Sequence, residues 1–194
     1  MNELKKFLFQ KSHQIFNRFK LSEQAAKVCA GKVTSIDAID ALNKEKCHYE
    51  LIQFLAHGLP AREAVWWASL CLLTRKDDWN RFQQQAIVAA QDWVKMPDED
   101  MRRRCEHFAN KLTLKCAPSW LVQAVFWNGS GSIVAPELPD TLPDPNLFPK
   151  AIAGAINLAA AMPQWDHTEK FQQFAVHSGI DIAKGGRGQL SVKK

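Results

Sequence analysis

Residues 59–74 read LPAREAVWWASLCLLT, a proline-opened run that carries an Arg-Glu pair and two adjacent tryptophans in otherwise apolar sequence. Pro60 suits the first turn of a helix, where its missing N–H would have had no partner anyway. From Ala64 to Leu73 only Ser69 interrupts the apolar residues, so the stretch predicts a helix that is polar at its start and apolar thereafter. Such a helix needs neighbours on nearly every side, which makes it the expected centre of a helical bundle.

The rest of the chain supplies those neighbours. The 194 residues are 46% hydrophobic, with seven Trp and eleven Phe but a single Tyr. These are set among many Ala, Leu, Gln and Lys and few β-branched residues, which favours helix over sheet. Ser22 is a plausible N-cap for a short helix over 22–30 that stops before Gly31, and Thr34 with Asp37 resembles a capping box for a helix over 35–43. A helix over 46–57 ends at Gly58. Asp77 or Asp78 is expected to cap a helix over 79–95 with Trp79, Phe82, Ala86, Ala89, Ala90 and Trp93 inward. After Pro97, Asp98, Glu99 and Asp100 occupy a first turn that favours negative charge, and Arg102, Arg103 and Arg104 follow. Residues 118–127, PSWLVQAVFW, make another proline-started helix.

Composition then shifts. Pro136, Pro139, Pro143, Pro145 and Pro149 fall within fourteen residues, a density that predicts an extended connection. Beyond it, helices over 149–162 and 166–178 form a hairpin, the second ending at Gly179. The expected organisation is all-α: a compact multi-helix bundle of about eight or nine helices, for which short solenoid-like packing is also suitable. Residues 1–20 read as a basic amphipathic N-terminal helix, 21–133 as the main domain, 134–149 as the Pro-rich connection, 150–184 as a C-terminal hairpin packed on that domain, and 185–194 as a flexible tail. Leu4, Leu8, Ile15 and Phe19 would give the N-terminal helix its apolar side. Its lysines permit a membrane surface or a partner, but packing on the domain is the simpler expectation.

A formal charge of +5, from 25 basic and 20 acidic residues, permits a polyanionic partner without implying one. The cysteines, Cys29, Cys47, Cys71, Cys105 and Cys116, are odd in number and lack CxxC spacing. They read as reduced core residues of a cytoplasmic protein. No run approaches the roughly 20 apolar residues of a membrane span.

No catalytic pattern emerges. His13, His48, His57, His107, His167 and His177 are scattered, with no two at metal-binding spacing, so neither an enzyme nor a bound metal or other cofactor is expected. The grouping that could form a protein-binding patch is His57, Arg62, Glu63, Trp66 and Trp67, with Arg62 able to lie over Trp66 one turn on. Against this stands the simpler reading in which Arg62 and Glu63 pair with neighbouring helices and the tryptophans fill core. Arg102, Arg103 and Arg104 are candidates for binding nucleic acid, yet consecutive helical residues point about 100° apart and cannot form one stripe. A solvated helix face is the expectation for them.

The words LAHGLPAREAVWWASLC (55–71), then Ala89-Ala90, Trp93-Val94, Met96-Pro97 and Arg102-Arg103-Arg104, resemble an uncharacterised bacterial domain family with a Leu-Pro-x-Arg-x-Ala-Val-Trp-Trp-Ala core. The likeness runs from about Leu21 to Lys184 and is specific only in the central motif. It implies no established activity. It does imply an association with type VI secretion loci, next to spike proteins, PAAR-type tips and their adaptors. The expected function is therefore a protein-binding adaptor or chaperone for a secretion spike or effector, with nucleic-acid binding as the alternative.

Overall fold

A computed structural model describes residues 3–135, 137–162 and 167–188, and among these it is all-helical. The helices are α1 (His13–Phe16), α2 (Glu23–Cys29), α3 (Ser35–Lys44), α4 (His48–Gly58), α5 (Ala61–Leu73), α6 (Arg81–Lys95), α7 (Glu99–Leu112), α8 (Ala117–Phe126), α9 (Leu147–Ala161) and α10 (Thr168–Ala183). A single core cluster reaches from Leu4 to Ala183. The helix that opens with Pro60 is central, as expected: α5 packs on α6, α8, α9 and α10. Helix α9 is equally central, because its Ala-rich surface lets α4, α5 and α8 approach closely.

Local signals set most helix ends. The Ser22 hydroxyl accepts from the Ala25 N–H, and Thr34 accepts from Asp37. Asp98 caps α7 through the Met101 N–H at 2.8 Å. Neither Asp77 nor Asp78 caps α6. They lie in a 3₁₀ turn over Lys76–Asp78, and Asn80 takes the cap in a reciprocal box with Gln83. The amide side chain is the better-placed acceptor because Trp79, buried with its Nε1–H on the Leu72 carbonyl, turns the chain between the aspartates and the helix.

Three further expectations change. Residues 3–20 do not form one helix: only His13–Phe16 is helical, and the preceding segment lies across the bundle, with the Lys6 N–H on the Ala183 carbonyl and the Leu8 N–H on that of Gly58. Leu4 and Phe7 are buried and Leu8 is exposed, which is not a helical period. The Phe7 ring fits because Gly58 has no side chain; a Cβ there would sit 1.9 Å from the ring. Secondly, α10 does not stop at Gly179 but runs on to Ala183. A Cβ on Gly179 would lie 2.8 Å from the Trp67 indole, so this glycine serves close packing and not termination. Thirdly, Gly185–Gly188 fold back as a turn. The Gly188 N–H donates to the Asp181 carboxylate and its carbonyl accepts from Ser178. Residues 189–194 of the expected tail lie outside the described residues, as does Pro136 of the Pro-rich connection. The remainder of that connection is non-helical as far as Asn146.

Candidate functional site

The first turns of α5 present Arg62 and Glu63, with Trp66 and Trp67 one turn further. Each of these four side chains is bound to a different part of the same chain. Arg62 donates through Nε and Nη2 to the Val94 carbonyl, at 3.0 and 2.8 Å. It thereby satisfies an orphan carbonyl in the last turn of α6 and places a cation on the negative end of that helix. It is not stacked on Trp66; among the described residues the arginine-aromatic pairs are Arg18 on Phe9, and Arg102 and Arg103 on Phe126. Glu63 pairs with Lys6 of the N-terminal segment at 3.3 Å. The Trp66 Nε1–H donates to the Arg187 carbonyl at 3.0 Å, holding the C-terminal turn. Trp67 has no exposed surface and donates to the Ala175 carbonyl of α10 at 2.8 Å.

His57, at the end of α4, is also enclosed. Its ring stacks on Phe19 with centroids 5.5 Å apart, and neither ring nitrogen has a hydrogen-bond partner among the described residues. Burial, reinforced by Arg18 and Lys150, pushes its pKa down to about 4. At neutral pH this imidazole is uncharged and packs as an aromatic ring. The group read as a candidate patch is thus a junction where α5 fastens α6, α10 and both ends of the described chain.

The arginine triplet is distributed just as internally. Arg102 is completely buried, which neither a phosphate contact nor a solvated face predicts. Its guanidinium donates to both oxygens of Glu99, to the Phe126 carbonyl at 2.8 Å and to the Ser132 carbonyl at 2.8 Å. Arg103 bonds Glu99, Glu106 and the carbonyls of Ser132 and Val134. Together they pin the polar loop after α8 onto α7. Gly131 permits this, since a Cβ there would be 2.8 Å from the Arg102 guanidinium. The hydrogen bond from Arg102, then that from Arg103, holds the Glu99 carboxyl below its usual range. Arg104 points outward and pairs with Asp92 of α6 at 3.3 Å. The three cations therefore do not make one open face for phosphates.

The chain belongs to the family of unknown function DUF6931. The family model matches residues 38–183. No curated protein and no solved structure matches the chain. The DUF6931 region contains His57, the four α5 side chains and the arginine triplet, whereas Lys6, Phe19 and Arg187, which complete their contacts, lie outside it.

Among the described residues no cluster of three His, Cys, Asp or Glu is arranged to hold a metal, and no helix is long and apolar enough to cross a membrane. Cys29, Cys47, Cys71 and Cys105 are buried, and burial pushes the Cys105 thiol up to about 12. These thiols are packing groups. On the outside of α6 and α7 the sequence reading passed over Val88 and misplaced Phe82. Phe82, expected inward, is 37% exposed and leans on Phe108, with ring centroids 5.0 Å apart; Val88 is 47% exposed. The signal was there in Val88, an apolar residue at a position of α6 that faces away from Ala86, Ala89 and Ala90.

Proposed function

We propose that the protein is a protein-binding accessory protein, an adaptor or chaperone that holds a spike component or effector of a type VI-like secretion system in the cytoplasm before loading. The observation that supports protein binding is the outer surface of α6 and α7, where Phe82 and Val88 are exposed beside the Phe108 ring. Phe82 leans on Phe108, and Phe108 lines the same groove as Val88, which groups these apolar side chains where isolated ones would be ordinary. The secretion role is supported by the family resemblance of the α5 motif alone.

Purification of the tagged protein from its native host tests this directly. A spike protein, a PAAR-type tip or an effector should be recovered with it in stoichiometric amount. Repeated recovery of none of these counts against the proposal.

A further inference from the structure

We propose that the groove between α6 and α7 docks an acidic amphipathic helix of a partner protein, an inference that rests on the protein-binding reading above. The two helices run antiparallel, as the Asp92–Arg104 and Phe82–Phe108 contacts require. Between them lies a cavity of about 390 Å³ lined by Arg81, Gln84, Gln85, Val88, Arg104 and Phe108. Its apolar surface comes from Val88 and Phe108. Both charged lining residues are arginines, one on each helix, and no carboxylate lines it. A third helix laid along two others is the way such a surface is commonly filled, with apolar anchors one turn apart facing the groove and charges along the edges.

Arg81 is the residue that argues for a partner. It is the first residue of α6, where the helix dipole is positive and a cation is disfavoured. The first turn of α6 contains no acidic residue, whereas α7 begins with Glu99 and Asp100. Among the described residues Arg81 has no ion pair, while Arg104 shares Asp92 with Lys95. A cation placed against its own helix and left without a carboxylate fits an anion brought from outside. The chain's net charge of +5 is compatible with the same class of partner.

Two fluorescein-labelled helical peptides test this with the full-length protein. They share leucines one turn apart along one face and differ only in their flanking residues, glutamate in one and lysine in the other. Fluorescence anisotropy should show the glutamate peptide bound about tenfold more tightly, two rim ion pairs each contributing a few-fold. Arg81→Glu should abolish that preference while melting at or above the wild-type temperature, because an anion suits the start of α6. Val88→Ser should weaken both peptides alike. Equal binding of the two peptides, binding of neither, or unchanged binding by both variants overturns the proposal. So does a wild-type dimer that Arg81→Glu converts to monomer, which would seat a second copy in the groove.

The same variants used as bait in the native host separate the two readings. A spike or effector recovered equally by wild type and both variants keeps protein binding and removes the groove. No such protein recovered by any bait, with the glutamate peptide still bound, removes the secretion role and leaves the groove.

Discussion

The start of α5 and the outer face of α6 and α7 carry similar residues, arginine beside large apolar side chains, and put them to opposite uses. At the start of α5 each of the four polar side chains has a partner within the chain: Arg62 has the Val94 carbonyl, Glu63 has Lys6, Trp66 has the Arg187 carbonyl and Trp67 that of Ala175. On the α6–α7 face, Arg81 has no ion pair among the described residues and Val88 is about half exposed. A distinctive motif is therefore not the same thing as a contact surface. What separates them is whether the chain itself satisfies the groups that the motif displays.

Substitutions in the first region therefore destabilise the protein and those in the second do not. Trp67→Ala should cost most, about 3–5 kcal/mol, since it empties the space beside Gly179 that the indole fills and removes the Nε1–H bond to the Ala175 carbonyl. Denaturant melts measure it, and a wild-type midpoint would break the comparison.

Acid should act next, through His57. Its folded pKa, about 4, lies below the ordinary 6.5, so the unfolded chain binds the proton more readily. The stability that its neutral state contributes is fully present above pH 6.5 and lost as pH falls towards 4, a change of about 3 kcal/mol. His57→Phe should keep the stack on Phe19 and remove that part of the acid sensitivity. Parallel melts of the two proteins from pH 7 to 4.5 isolate it from the carboxylates, Glu99 among them.

Arg102→Met follows, at about 2 kcal/mol. The Phe126 carbonyl loses its donor, while that of Ser132 keeps Arg103. Hydrogen exchange should rise in the loop after α8 and not in α5. Trp66→Phe is the smallest, about 1 kcal/mol or less, because a single half-exposed hydrogen bond to Arg187 is removed. Limited proteolysis near Gly185 should accelerate even where the melting temperature barely moves. Protection there equal to wild type would show that the turn holds without Trp66.

Much of the fold was readable before any coordinates. Ser22, Thr34 and Asp98 announce their helices through side chains that reach only three residues ahead, and the 64–73 run announces a buried one through composition alone. The N-terminal segment was misread because Leu4, Leu8, Ile15 and Phe19 match a helical spacing that backbone bonds to Ala183 and Gly58 override. Gly179 was misread because a glycine that ends a helix and one that admits an indole look the same in one dimension. The apolar period through Ala175, Gly179, Ile182 and Ala183 did continue past it, and that was the available clue.

The candidate site was legible in its residues and not in its role. His57, Arg62, Glu63, Trp66 and Trp67 do gather around one junction, as their spacing across the 57–67 turn suggests. Their partners, Phe19, Val94, Lys6, Arg187 and Ala175, are 32 to 121 residues away or on an unconnected element, beyond what any local period encodes.

By itself, then, the sequence determined the class of structure, the number of helices to within one or two, and which side of most of them avoids water, because capping and amphipathicity are local. Only the tertiary structure decided which neighbour covers each of those sides. Burial and ion pairing depend on distances between residues remote in the chain, and it is those distances that turn Arg102 into a buried strut, Trp66 into a clasp for the C-terminal turn, and Arg81 into a cation with no ion pair among the described residues.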